Sequence, residues 1–229
     1  MKISQIIALF CLLIMPKSAF AEIKPTATYE KEGTEETTDQ DFTAEAPLHV
    51  RFTVDRSGID ASASLEWHFK HTGSEGVSNI TRYGDDCEFD FTQSGLTVVT
   101  VYVRQDVELV DSGSIRITIT ESHLEMPNAF SPNGDGVNEY YQAKSNYKSI
   151  ISFHGYIFNR WGQKLYEWTD WTDEKKGWDG TYKGRPVKDG VYFALVKARG
   201  ADGVIYEIKR DVNLLRRRNE TTSGGTTNE

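Results

Sequence analysis

Apolar and polar residues alternate in short runs along most of this chain. "LHVRFTV" puts Leu48, Val50, Phe52 and Val54 on one side, and "SLEWHF" does the same with Leu65, Trp67 and Phe69. "CEFDF" repeats the pattern with Cys87, Phe89 and Phe91. "LTVVTVYV" and "SIRITIT" follow, the second aligning Ile115, Ile117 and Ile119. A period of two predicts strands that each bury one face. Clusters of Gly, Asp and Ser separate the runs, which together predict a β-sandwich. No stretch shows a convincing helical period. Further along, "SIISFHGYIF" and "QKLYEW" face each other across "NRWG", a hairpin whose glycine supplies a positive φ. "WDG", "YKG" and "VKDG" are closely spaced turns, and "VYFALVKA" and "VIYEIKRDVNLL" flank the hairpin loop "RGADG". The break between the two sets of strands falls near Ser122–Pro127. An all-β chain of two consecutive sandwiches follows, over residues 46–122 and 123–216. The short linker predicts that the two units touch or stand in a fixed order.

The ends read differently. Residues 22–45 are polar, and "EKEGTEETTDQ" holds no apolar side chain. A loosely ordered segment with one short strand at Thr26–Tyr29 is expected there. Residues 217–229 form a polar tail expected to be disordered. The alternative is that the basic cluster Arg216, Arg217 and Arg218 touches an anionic partner. Residues 1–21, "MKISQIIALFCLLIMPKSAFA", read as a secretory signal peptide: Lys2, an apolar run from Ile6 to Met15, and a small-x-small site at Ala19-Phe20-Ala21. The run is too short for a bilayer-spanning helix, which needs ~20 residues. Phe10 before Cys11 is not the small residue that lipidation requires. The chain beyond the leader is therefore expected to be exported, with no transmembrane span.

Without the leader, 24 Lys and Arg face 34 Asp and Glu, a net charge of −10. An acidic exported protein is a poor partner for nucleic acid. Only Cys87 remains after cleavage, so no intramolecular disulfide staples either unit. Its place in an alternating run predicts a buried thiol.

No residue set points to catalysis. The histidines are scattered, and His68 and His71, three apart in "WHFKH", fall on opposite faces of a strand. HExxH, GxSxG and a phosphate-cradling glycine loop are absent from the sequence. No cofactor is expected, and the chain reads as a non-enzyme. "PNAFSPNGDGVNEYY" invites a metal reading, because Asn133, Asp135, Asn138 and Glu139 carry hard oxygens suited to Ca²⁺. The EF-hand register fails, since position 6 is Asn138 and position 12 is Lys144. A turn is the stronger reading. Gly134 and Gly136 permit positive φ, and Asn133 and Asp135 bond nearby amides. Trp161, Trp168, Trp171 and Trp178 crowd a short stretch. Trp168 and Trp171 are the candidate aromatic patch for a glycan or protein partner.

An ordered series of motifs carries a family resemblance. "PNAFSPNGDGVNEYY", "IFNRWGQKLYEW", "GWDGTYKGRPVKDGVYF" and "DVNLLR" resemble the gliding-motility-associated C-terminal domain of Bacteroidota, the type B sorting domain of the type IX secretion system. The resemblance spans about Leu124 to Arg216 and includes Glu139 where the family usually has Asp. It implies an immunoglobulin-like sandwich that directs an exported protein across the outer membrane, with surface retention, and it implies that Trp161 and Trp178 pack over turns. The first unit is similar to PKD-like sandwiches through "APLHVRFTV", "LEWHF" and "FTQSGLTVVTVYV". At the acidic turn usual after the tryptophan strand it reads "HFKHTGSEG" instead.

The expected function is export and surface interaction, with a PKD-like module as passenger of a sorting module. The alternative is a stand-alone adhesin or carbohydrate-binding protein. The implied partners are the outer-membrane secretion machinery, other surface proteins or glycans. The implied location is the cell surface or medium, with the periplasm as fallback. The recognition loops would be Asn133 to Glu139, Asn159 to Gly162 and Trp178 to Gly190. In them Gly134, Gly136, Gly162, Gly180 and Gly190 would shape the backbone, while Asp135, Arg160, Asp179 and Asp189 would serve structure or recognition.

Overall fold

The computed structural model describes residues 23–74 and 76–216. The expected leader at 1–21 and tail at 217–229, with Arg217 and Arg218, lie outside the described residues. The first unit contains β1 (Pro25–Lys31), β2 (Thr34–Thr38), β3 (Phe42–Ala44), β4 (Leu48–Val54), β5 (Ser64–Gly73), β6 (Gly76–Tyr83), β7 (Cys87–Phe91), β8 (Gly95–Gln105) and β9 (Glu108–Ile119). One sheet runs β2-β1-β4-β7 and the other β3-β9-β8-β5-β6. The alternating runs face each other between them. Val50, Phe52, Trp67, Val99, Val101, Ile115 and Ile117 are wholly buried. The Phe52 ring lies 5.6–6.3 Å from those of Trp67, Phe69 and Phe91. Burying such a side chain contributes about 1.5–3 kcal/mol relative to exposure, which holds the unit together without a disulfide. Cys87 is buried, and burial pushes its thiol pKa up.

The second unit contains β10 (Ala129–Phe130), β11 (Ile150–Phe158), β12 (Lys164–Trp168), one 3-10 turn (Glu174–Lys176), β13 (Thr181–Tyr182), β14 (Arg185–Pro186), β15 (Gly190–Gly200) and β16 (Ile205–Leu214). Its sheet runs β10-β16-β15-β11-β12, and β13 pairs with β14. The facing layer comes from the β13–β14 hairpin and from loop segments that deliver Leu124, Met126, Tyr141 and Trp178 to the core. The architecture is all-β, two consecutive immunoglobulin-like sandwiches. No helix among the described residues is long and apolar enough to cross a membrane.

The segment 22–45 departs from expectation. It supplies β1, β2 and β3 to both sheets of the first sandwich. In β1, Ala27 and Tyr29 turn inward while Thr28 and Glu30 face outward, and Tyr29 stacks on Phe42 at 4.6 Å. The polar run between them forms β2, an edge strand with exposed or half-exposed side chains. Threonine-rich polar sequence suits that position well.

The two sandwiches meet end to end. Ser94 N–H donates to Ala201 O and Ala201 N–H to Ser149 O, both at 2.9 Å. Ala46 N–H donates to Ser149 Oγ at 3.2 Å, and Ala201 joins the first unit's buried cluster. Strand directions then fix the poles. β4 and β8 run away from this joint to the loops around Asp55 and Asp106. β11 runs away from it on the other side, and β15 and β16 pair antiparallel along its length.

A composite loop surface at the far end of the second sandwich

The motif loops, scattered over the sequence, converge at the pole farthest from the joint. β11 ends there in the 159–163 loop. Asn159 organises this loop: its Oδ1 accepts from the Trp161 and Gln163 amides at 3.0 Å. Gln163 Nε2 then reaches Tyr182 Oη of the β13–β14 hairpin at 3.1 Å. Arg216, just after β16, ties the same hairpin down. Its guanidinium donates to Val187 O (2.6 Å), Gly180 O (2.8 Å) and Asp189 Oδ1 (3.1 Å). Its backbone N–H donates to Asp189 Oδ2 at 2.8 Å. A Cβ at Gly180 would lie 2.7 Å from the Arg216 guanidinium and 3.0 Å from Pro132 Cγ, at a φ of +76°. The opening motif, the turn cluster and the closing strand therefore lock together at one point. Asp189 and Gly180 hold structure, while Asp179 Oδ1 accepts from Thr181 N–H at 2.9 Å.

The 133–139 loop is internally closed. Asn133 Oδ1 accepts from Asp135 N–H, Asp135 Oδ1 from Val137 N–H, and Glu139 Oε1 from Gly136 N–H, at 2.8–3.0 Å. Asn133 Nδ2 donates to Asp135 Oδ2 at 2.9 Å, and this bond leads the effects holding Asp135 below its usual carboxylate range. Asn138 sits at φ +52° and its carbonyl accepts from Ser131 N–H. One oxygen of each proposed ligand already accepts a hydrogen bond from a backbone N–H of the chain itself, the arrangement of stacked Asx-turns. Gly134, Gly136, Gly162, Gly180 and Gly190 all have positive φ.

Trp161 and Trp168 exchange the places expected for them, while Trp178 packs over its turn as expected. Trp168 is 5% exposed and its Nε1–H donates to the buried Gln142 Oε1 at 2.8 Å. Trp171 is half-buried against Phe153. The Trp168–Trp171 patch is thus absent, because "YEWTDW" folds over the core through Gln142, whose Nε2 also donates to Asp170 O and Asp173 O. Trp178 is fully buried and donates to Thr181 O. Trp161, expected to pack over its turn, is 80% exposed, with the Arg160 guanidinium 5.2 Å from its ring. Its indole projects from the tip of a loop, with the Arg160 guanidinium over the ring. Gln142 and the Arg216 clamp were missed from sequence. The arginine closing "DVNLLR" was a usable signal for the second; nothing marked the first.

The histidines stay apart. His68 Nε2 lies 2.7 Å from Glu66 Oε1, while His71 Nδ1 lies 2.9 Å from Thr97 Oγ1 on the other face of β5. Tyr141, at the end of the opening motif, buries its hydroxyl without a partner among the described residues, and desolvation raises its pKa.

No curated protein matches the chain. Among solved structures it is similar to dimeric latent PorU from Porphyromonas gingivalis, at 13% identity and a TM-score of 0.27, over 84% of this chain and 20% of that one. It is similar to a tetra-tandem repeat in the extending region of a large adhesion protein, at 13% and 0.30, over 86% and 58%. It is also similar to chicken CNTN1 FN1–FN3 domains, at 8% and 0.28, over 80% and 69%. The chain thus spans one fifth of the PorU chain and under two thirds of the adhesion-protein repeat. Residues 124–207, which contain the opening motif, the tryptophan hairpin and the turn cluster, match the family model CHU_C, the type IX secretion signal domain.

Proposed function

We propose that this chain is a non-enzymatic exported protein whose second sandwich is the sorting and surface-attachment module and whose first sandwich is a PKD-like interaction domain. The observation that carries the reading is the match of residues 124–207 to a type IX secretion signal domain. The convergence of the motif loops on one pole supports it. A recognition signal spread over a sequence acts as a unit only when the fold brings it together. The partner is then the outer-membrane secretion machinery, and the destination is the cell surface or medium.

The test is fractionation of cells producing the full chain or a version truncated before Pro127. The full chain should reach the surface or medium, and the truncated chain should remain in the periplasm, with its protease resistance checked there. Equal distribution of the two would defeat the reading. A second reading, a surface adhesin or carbohydrate-binding protein, is favoured by Trp161 alone, an exposed aromatic face edged by Arg160. It expects polysaccharide to quench the fluorescence of the full chain and not of a Trp161→Ala variant.

A further inference from the structure

One edge of the first sandwich is open in a way that the other edges are not. β6 ends the five-stranded sheet, and all eight of its residues are exposed. It pairs with β5 in unbroken register and contains no proline. The Gly84 N–H donates to Leu65 O at 3.3 Å, one step beyond the last pair of that register. Antiparallel strands alternate between pairs that exchange hydrogen bonds and pairs that do not. The backbone groups of Arg82, Ile80 and Ser78 therefore turn to β5. Those of Tyr83, Thr81, Asn79 and Val77 turn outward, where no strand follows. Such a row of unpaired N–H and C=O groups is a template for another strand.

Apolar side chains stand on both faces of this edge. Val77 and Tyr83 are 63% and 76% exposed on the outer face, and Ile80 is 40% exposed on the inner one. β6 overhangs the opposite sheet, so Ser78, Ile80 and Arg82 line a groove with Phe89 and Phe91 of β7. Arg82 is the only Lys, Arg, Asp or Glu of the strand, and its guanidinium lies 5.9 Å from the Phe89 ring. Asp85 and Asp86, just past the strand, are paired with Arg56 and Arg51. The other edges are guarded or short. β3, β10, β13 and β14 have two or three residues each. β12 is tied through Tyr166 Oη to Lys176 O in the segment after it. Pairing β2 with itself sets Glu36 against Glu36, and pairing β7 with itself sets Glu88 against Asp90. Like charges directly opposite each other destabilise a strand pair.

We propose that β6 pairs antiparallel with β6 of a second copy, about a two-fold axis at Ile80. Val77 then lies opposite Tyr83, Asn79 opposite Thr81, Ser78 opposite Arg82, and Ile80 opposite Ile80. Every outward-facing backbone group of the strand gains a partner. Each Tyr83 ring meets a β-branched side chain, a favourable cross-strand pair. The two Arg82 side chains stay apart, at opposite ends of the contact. β8 runs away from the joint, β5 returns and β6 runs away again. Antiparallel pairing thus sends the two second sandwiches out in opposite directions, clear of the contact. An isologous contact of this kind uses up the open edge and stops at a dimer. The inference goes beyond the export reading and is tested on purified protein, so either can fail without the other.

The experiment is sedimentation velocity on residues 22–229, with cysteine trapping beside it. The wild-type chain should show a monomer–dimer equilibrium. Residues 22–122 carry 20 Asp and Glu against 8 Lys and Arg, so two copies repel and salt should favour the dimer. Between ~0.01 M and ~1 M salt the range of that repulsion falls from ~30 Å to ~3 Å. Thr81→Pro removes an outward N–H and leaves the bonds to β5 in place. It should weaken association by about tenfold or more while melting like the wild type. Ile80 and its counterpart form a pair without hydrogen bonds, with Cα atoms about 4.5 Å apart, a span that a disulfide bridges. In oxidised glutathione, Ile80→Cys should become a covalent dimer rapidly, whereas Val77→Cys, which faces Tyr83, should not. This trapping reads the contact independently of how the proline variant folds. A wild type that stays monomeric at both salts, or that grows past a dimer, would overturn the proposal. So would a Thr81→Pro chain that dimerises as well as the wild type, or equal cross-linking at positions 77 and 80.

Discussion

Trp168 lies against the place where Gly155 has no side chain. The two residues are opposite each other on β12 and β11, and a Cβ on Gly155 would come within 2.5 Å of the indole ring. The ring has no room to retreat, with Phe153, Tyr141 and Tyr166 rings 5.7–6.3 Å from it and its Nε1–H held by Gln142. Overpacking of this kind costs about 1–3 kcal/mol. Gly155→Ala is therefore expected to lower the stability of the second sandwich by that amount in denaturant unfolding. Wild-type stability in the variant would show that the ring can shift. The same pair explains what sequence could not show. "YEWTDW" and "NRWG" both set tryptophans among polar residues. What separates them is a glycine thirteen positions before Trp168 and a glutamine still earlier, and neither relation exists until the strands pair.

At the scale of elements, the alternating runs were legible because a half-buried strand writes its burial directly into a period of two. β4, β5, β7, β8 and β9 bury the residues that alternation selects. β2 escaped, since an edge strand with no buried side chain carries no such period. The facing layer of the second sandwich escaped for a related reason. Its loops are fixed by contacts between turns, of which the Arg216 clamp is the clearest. Hydrogen bonds involving a charged group contribute about 1.5–3 kcal/mol each, and partial exposure reduces this. Arg216→Ala should destabilise the second sandwich by about 1–3 kcal/mol. Exchange of the Val187 and Gly190 amides should also speed up, as the turn cluster comes loose. Gly180→Ala should produce the same pattern, because its Cβ competes for the guanidinium's position. If Arg216→Ala changed stability without loosening those amides, the clamp would not be what orders the loops.

On the scale of the whole molecule, the joint makes one body of two sandwiches. Ala201 leaves the second unit to complete the first unit's core, and Ile151 packs beside it. Around them, Asp202 accepts from the Ser122 amide at 2.8 Å and from the Ser122 hydroxyl at 2.7 Å, while Ser74 Oγ donates to its carbonyl at 3.0 Å. Partial burial works to raise the Asp202 pKa, but the bonds from Ser122 and the Val204 amide outweigh it, and the carboxyl stays below its usual value. A group depressed in the folded state contributes stability that is complete above its unfolded pKa, about 3.9, and that is lost as pH falls through the folded value. Scanning calorimetry should accordingly show one cooperative transition near neutral pH. Below about pH 4 the joint should weaken, and the sandwiches should begin to melt separately. An Asp202→Asn variant lacks that ionisation, so its joint should be weaker at neutral pH and less sensitive to acid. Two resolved transitions for the wild type at neutral pH would show that the sandwiches are merely adjacent. A single transition would mean that the two sandwiches present their poles in a fixed, opposed orientation.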